Sequence, residues 1–148
     1  MAIPAPGRRR GRSPTHLVLR LAAAAGLAID AAVHARLAEQ YDAVGDTISQ
    51  GTLFRLEAGA ASLAVLLVLL WRHRAGDLFA WAVAASGLGA LLLYRYVDVG
   101  AIGPLPNMYE PVWFSDKMLA AWAEGVATAA LTVLLLGDRR RLLRPSRL

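Results

Sequence analysis

Four long apolar stretches, separated by shorter polar connections, constrain this chain more than any other feature of its sequence. They cover residues 17–37, 53–71, 78–94 and 118–136 of a chain of 148 residues. An α-helix needs about 20 mostly apolar residues to cross a hydrocarbon core about 30 Å thick. We therefore predict an all-α fold, a polytopic membrane four-helix bundle, with the lipid bilayer as its main partner.

The composition agrees with this fold class. Apolar residues make up 57% of the chain and charged residues 18%, against about 45–50% and about 25% in soluble domains. No cysteine is present, which excludes disulfides, thiolate metal sites and cysteine nucleophiles. Residues 17–137 would form the transmembrane domain, and residues 1–16 and 138–148 would form two basic cytoplasmic tails.

The basic residues predict the orientation of the helices. Twelve of the 16 fall on one side of the four stretches, namely Arg8, Arg9, Arg10, Arg12, Arg20, Arg72, Arg74, Arg139, Arg140, Arg141, Arg144 and Arg147. The other side carries Arg36, Arg55, Arg95 and Lys117. Because basic residues accumulate in cytoplasmic segments, both termini should face the cytoplasm. The Ala- and Arg-rich, Lys-poor composition favours a bacterial chain, and hence the bacterial inner membrane.

Several function classes are excluded by the pattern of charged and polar residues. The arginines flank apolar stretches, so the net charge of +5 indicates contact with lipid headgroups and no nucleic-acid partner. His16 and His73 would lie at the cytoplasmic border, across the bilayer from His34, which excludes haem held between His34 and either of them. Neither a Walker sequence nor a G-x-S-x-G motif occurs.

The first stretch also fits a cleaved secretory signal peptide, and this alternative stays open. Residues 7–12 would be its basic region, residues 17–29 its apolar region and residues 33–35 a small-residue cleavage site. The charged Asp30 ahead of that site and the three further apolar stretches favour an uncleaved span.

The two outer connections differ from ordinary short turns. Residues 38–52 are polar and turn-prone, and residues 95–117 hold three prolines among several aromatic residues. Prolines at this density prevent a long helix, and aromatic side chains often lie at the level of the lipid headgroups. The second connection is thus either an interfacial flap or a lid over a pocket.

Small residues recur at helical spacing in three stretches. These sets are Ala22 and Gly26; Ala82, Ser86 and Ala90; and Ala121, Gly125 and Ala129. In lipid such spacing lets helix backbones approach closely, so we expect these faces to join the bundle, a homo-oligomer or a larger membrane complex.

Six ionisable residues gather toward the outer ends of the helices and form the candidate polar pocket: Asp30, His34, Arg55, Glu57, Arg95 and Glu124. Charges at membrane depth cost about 2.5–3.5 kcal/mol each for Arg, Lys or Asp, so they usually face the bundle interior and pair. One hypothesis is a structural network, in which the arginines and His34 donate to the carboxylates.

Two other hypotheses make the same residues a binding site. Asp30, His34, Glu57 and Glu124 offer nitrogen and oxygen ligands for a divalent metal, which is the weaker of the two because one histidine is present among scattered carboxylates. The alternative is a cavity for a proton, a quinone or a lipid headgroup. An imidazole in such a cavity changes charge near neutral pH.

The chain resembles a known group of membrane proteins. An arginine opens the first stretch in residues 17–21 (LVLRL), a glutamate precedes a small apolar run in residues 56–67 (LEAGAASLAVLL), and a basic turn follows at residues 71–74. This pattern, over residues 17–136, is similar to the DoxX-like group of small bacterial membrane proteins and its MauE-like relatives. The resemblance implies a four-helix bundle that serves as an accessory subunit of membrane redox systems, with Arg20 and Glu57 as the matched polar positions.

The sequence favours a non-catalytic accessory or interaction subunit, and it names no catalytic residue and no cofactor. The alternative is a small redox or transport protein whose outer-half pocket binds a quinone, a metal or a proton. Without cysteine the chain lacks the thiol chemistry of some DoxX-like relatives. Convergence of the candidate side chains on one cavity would favour the pocket.

Overall fold

Four helices account for most of the structure. The computed structural model describes residues 14–45 and 47–142, with side chains as far as residue 137. Its helices are α1 (Pro14–Ala38), α2 (Gln50–Leu66, prolonged by a π-helical turn, Leu67–Trp71), α3 (Arg74–Tyr96) and α4 (Ser115–Leu142), with a 3₁₀ turn at Glu39–Tyr41. This confirms the all-α prediction and the four long apolar helices, each long and apolar enough to cross a membrane.

Each helix continues past the apolar stretch that predicted it. Asp77, for example, lies in the first turn of α3, where a carboxylate interacts favourably with the helix dipole. Residues 14–16 and 138–142, predicted as parts of the basic tails, belong to α1 and α4. The remainder of both tails, and the basic region of the alternative signal peptide, lie outside the described residues.

The bundle has two distinct ends. We call the loop end the one that holds residues 39–49 and 97–114, and the turn end the one where residues 72–73 join α2 to α3. Helix α1 packs closely on α2 and α4, and α4 packs on α3. Helices α2 and α3 are in looser contact, which leaves room between them at the loop end.

Small side chains fill the interior, and large apolar side chains cover the outside. Alanine is the most frequent residue of the buried core, with Leu27, Val68, Leu131 and Leu134 among its few larger members. Leucine side chains project outward on every helix, joined by valine, tryptophan or other large apolar residues; Leu70, for instance, is 76% exposed. The helices therefore meet through short side chains, at close range.

The predicted small-residue faces are only partly those that join the helices. Gly26 is buried as expected, but Ala82, Ser86 and Ala90 on α3 are exposed. The buried face of α3 carries Ala80, Val83 and Ala84 instead. Two residues of helix turn a side chain by about 200°, so the predicted face of α3 does not join this bundle, and its role in a homo-oligomer or a larger complex stays a prediction.

Gly26 marks the closest approach of α1 to α4. A Cβ atom at Gly26 would lie 2.5 Å from the backbone oxygen of Ala123 and 3.1 Å from the Cβ of Ala127. The first contact is to backbone, so no change of rotamer relieves it. A side chain here must push the two helices apart.

We expect Gly26→Ala to lower the free energy of unfolding by about 1–3 kcal/mol, the usual cost of overpacking. Reversible unfolding in mixed detergent micelles measures this change. Gly89→Ala is the matched control, because a Cβ there meets nothing within 4 Å; it should leave stability unchanged or raise it by up to about 1 kcal/mol. Equal stability of the two variants would contradict the close α1–α4 contact.

A buried ion pair joins three helices at the turn end. The guanidinium of Arg20 on α1 donates to both carboxylate oxygens of Asp77 on α3, at 2.9 and 2.7 Å. It also donates to the backbone oxygen of Val68 at 2.8 Å. That oxygen belongs to the π-helical turn, in which the Arg72 amide donates to the oxygen of Leu67 and Arg72 adopts a left-handed conformation. Both charges are almost completely buried and satisfied.

We expect Asp77→Asn to lower the free energy of unfolding by about 3–5 kcal/mol, because it leaves the Arg20 charge buried without a counter-charge. The same micelle titration measures the loss. Asp42→Asn provides the comparison: it breaks an exposed ion pair with Arg55 and should have a much smaller effect. A similar loss in both variants would contradict the expectation that the buried Arg20–Asp77 pair contributes more to stability than the exposed pair.

Candidate functional site

The loop end carries an ordered cover built from residues 97–114. Its Glu110 amide donates to the backbone oxygen of Tyr94 at 3.1 Å, and the Lys117 ammonium donates to the backbone oxygen of Glu110. Asp98 accepts from the Gly100 amide and from the Asn107 side chain, both at 3.1 Å. No helix forms in this segment, as its prolines predicted. The segment is thus tied to the end of α3 and the start of α4.

Beneath this cover lies a cavity of about 550 Å³. All four helices contribute to its wall, and so do Leu105, Met108 and Glu110 of the cover. Most of its lining is apolar or aromatic; its polar side chains are His34, Tyr41, Gln50, Glu57, Tyr94, Glu110, Asp116 and Lys117. The position and size of the cavity are those of a pocket for a small organic molecule.

Three polar side chains meet at the inner end of this cavity. Asp30 and His34 of α1 and Glu124 of α4 each offer a ligand atom, and these atoms lie within 4.8 Å of one another. His34 Nδ1 donates to the Asp30 backbone oxygen at 3.1 Å and lies 2.7 Å from Asp30 Oδ1. We call these three residues the buried cluster. The sequence predicted that Asp30 and His34 share a face of α1; the tertiary fold adds Glu124.

Glu57 of α2 joins the buried cluster at a point where α3 carries no side chain. A Cβ atom at Gly87 would lie 2.6 Å from Glu124 Oε1 and 3.3 Å from Glu57 Oε1. The absence of a side chain at Gly87 thus gives two carboxylates room beside α3. His34 and Glu57 line the cavity, whereas Asp30 and Glu124 lie deeper and do not.

The carboxylates of this site are buried with few hydrogen-bond donors. Asp30 is 0% and Glu124 1% exposed. Asp30 Oδ1 has His34 Nδ1 at 2.7 Å, but within the described part of the chain no hydrogen bond reaches Asp30 Oδ2, either oxygen of Glu124, or Oε1 of Glu57. Buried polar groups in proteins are nearly always paired. These carboxyl groups therefore need protons or a positive charge beside them.

The two arginines of the predicted network are placed elsewhere. Arg55 lies on the exposed face of α2 and donates to both oxygens of Asp42, at 2.5 and 2.7 Å. These hydrogen bonds lower the pKa of the Asp42 carboxyl below its ordinary value. Arg95 lies over the rings of Tyr96 and Trp113, at 5.0 and 5.4 Å. Neither arginine donates to the buried carboxylates, so this part of the structural-network hypothesis is wrong.

An aromatic group holds the His34 ring in place. The ring meets the ring of Phe54 edge to face, with centroids 5.2 Å apart, and Phe54 in turn contacts Tyr41 at 5.1 Å. Phe54 and Tyr41 both line the cavity. His34 is therefore fixed between the Asp30 backbone on one side and an aromatic wall on the other.

Sequence reasoning missed two residues that shape the site, Gly87 and Lys117. In the sequence Gly87 is a glycine inside an apolar stretch, and nothing there shows which neighbouring side chain needs its space. Lys117 had a usable signal: it is a lone cation at the start of an apolar helix that follows a proline-rich segment. In the structure Lys117 is 9% exposed and holds the cover.

Comparison of the chain with family models, curated proteins and solved structures found no match. The resemblance to DoxX-like and MauE-like proteins accordingly stays a prediction.

Proposed function

We propose that this chain is a four-span protein of the bacterial inner membrane, with both termini cytoplasmic and the loop end facing the periplasm. Its cavity binds a small amphipathic molecule of the quinone class, as part of a membrane redox or transport function. The observation that carries this proposal is the 550 Å³ cavity, apolar along its walls and polar where it meets His34 and Glu57.

The distribution of apolar surface supports the membrane setting. In the most apolar 18-residue window of α2, only 22% of residues are buried inside the bundle. Large exposed side chains such as Leu56, Leu63 and Leu66 cover this helix. A soluble protein seldom exposes apolar patches this large, whereas lipid is a favourable neighbour for them. Small interior residues at the helix contacts are also typical of membrane bundles.

The chemistry of the cavity supports the ligand class. A quinone has a flat, polar head with two carbonyl oxygens and an apolar tail. The Tyr41 hydroxyl offers a hydrogen-bond donor to such a head, and Phe54 and Phe114 offer flat apolar surface. The looser contact between α2 and α3 gives an apolar tail a route toward the surrounding lipid.

The accessory-subunit function and its partner proteins stay predictions, since no described contact bears on them. A subunit that only packs against partner proteins needs neither a cavity nor buried carboxylates beside it. We therefore place ligand binding first.

Single-cysteine labelling tests the proposed topology. The chain has no native cysteine, so a membrane-impermeant maleimide reports one position at a time. Ala101→Cys in the cover should react in intact spheroplasts, and Ala75→Cys near the turn end should react only after the membrane is opened. Both alanines are exposed. Reaction of Ala75→Cys in intact spheroplasts would contradict the orientation.

Filling the cavity tests the proposed ligand. Ala60 lines the cavity, so Ala60→Phe should weaken binding of a short-chain ubiquinone to the detergent-purified protein by at least about tenfold, which corresponds to about 1.4 kcal/mol. Titration calorimetry measures the affinity. Ala82→Phe, on an exposed face of α3 away from the cavity, should bind as the unmodified chain does. Absence of quinone binding, or equal binding by both variants, would overturn the proposal.

A further inference from the structure

We infer that the buried cluster binds one divalent transition-metal ion. Carboxylate oxygens of Asp30 and Glu124 and one imidazole nitrogen of His34 would be its ligands. This inference goes beyond the quinone cavity, because Asp30 and Glu124 lie deeper than the cavity lining, to which His34 belongs, and because the ion would need no organic ligand.

The spacing of the three groups suits a metal ion. Their ligand atoms lie within 4.8 Å of one another. Around an ion such as zinc, ligand atoms stand about 2.0–2.2 Å from the metal, which places them roughly 3–4 Å apart. To bind the ion, the most distant of these atoms would have to approach one another by about 1–2 Å, a distance on the scale of a side-chain rotation.

The surroundings of the carboxylates also favour a bound cation. Both oxygens of Glu124 and Oδ2 of Asp30 are buried and accept no hydrogen bond from the described residues; Asp30 Oδ1 lies 2.7 Å from His34 Nδ1. Buried charges in proteins are paired or coordinate metals. At the turn end the buried Asp77 has Arg20 as its partner, but among the described residues Asp30 and Glu124 have no arginine or lysine. One imidazole cannot neutralise two carboxylates, and a divalent ion supplies the missing positive charge.

The depth of the buried cluster favours a small ion over an organic cation. Asp30 and Glu124 do not line the cavity, whereas His34 and Glu57 do. Ligand atoms within 4.8 Å of one another fit around a single ion and are too close together to enclose a bulky ammonium compound. Glu57 lies beside Glu124, near Gly87, where it can serve as a further ligand or as an outer partner.

The kind of ligands indicates the kind of metal. Imidazole combined with carboxylates suits Zn²⁺, Mn²⁺ or Fe²⁺, whereas the soft sulfur ligands that select Cu⁺ are missing from these three residues. Four-helix bundles commonly hold such metals through carboxylate and imidazole side chains on facing helices. The hydrogen bond from His34 Nδ1 to the Asp30 backbone oxygen resembles the outer contacts that orient metal-binding histidines.

The experiment uses the full chain, purified in a mild detergent with a tag that contains no histidine, stripped with a chelator and titrated with Zn²⁺ alone. We expect one bound zinc ion per chain when the metal content of the protein is measured by elemental mass spectrometry. We also expect the melting temperature of the protein to rise with Zn²⁺ concentration. Asp30→Asn, His34→Gln and Glu124→Gln should each lower the affinity by more than the roughly 10–100-fold that loss of an outer partner costs.

Two further variants make the outcome decisive. Glu39→Gln, which changes an exposed glutamate, should bind Zn²⁺ as the unmodified chain does. Gly87→Ala retains every ligand but places a methyl group 2.6 Å from the present position of Glu124 Oε1, so it should weaken Zn²⁺ binding while the protein stays folded. Zinc binding that is absent, or that survives in the three ligand variants, overturns the inference. No quinone is present in the zinc titration, so neither outcome decides whether the cavity binds a quinone; the Ala60→Phe experiment tests that separately.

Discussion

The close approach of helices through small side chains is the constraint on which the rest of this structure depends. Gly26 lets α1 contact the backbone of α4, and alanines fill most of the interior. A core of this kind buries little apolar area per residue, so the large apolar side chains are left outside. Such a bundle is stable where the surrounding medium is itself apolar and helix association depends on packing. The proposed membrane setting meets that condition.

Close packing also determines how the structure treats buried charge. At the turn end, Arg20, Asp77 and the π-helical turn of α2 form a complete set of hydrogen bonds between three helices. At the loop end, two carboxylates are as deeply buried, and among the described residues Asp30 has only the His34 imidazole beside it while Glu124 accepts no hydrogen bond. One end is thus a satisfied ion pair that fastens helices. The other end holds carboxylates that lack enough hydrogen-bond donors, and this contrast supports a binding site at the loop end.

The candidate site shows how far residue patterns lead. The spacing of Asp30 and His34 placed both on one face of α1, because residues four apart are neighbours on a helix. The pairing of Arg55 was not predictable in the same way. Asp42 is in a connection whose path only the fold determines, and this exposed partner draws the guanidinium away from the buried carboxylates. Similarly, Glu57 and Glu124 come together only because α3 has no side chain at Gly87.

The sequence by itself determined the fold class and the approximate limits of four apolar helices, because helix period and hydrophobic length are local properties. It also identified most of the ionisable residues of the site, since charged groups inside apolar stretches are conspicuous. Only the tertiary structure decided which helix faces meet, that Arg20 binds Asp77, and that Asp30, His34 and Glu124 share one point. These contacts depend on the rotation of each helix about its axis and on which helices are its neighbours. Neither is a local property of the sequence, and a single glycine can decide whether two side chains meet.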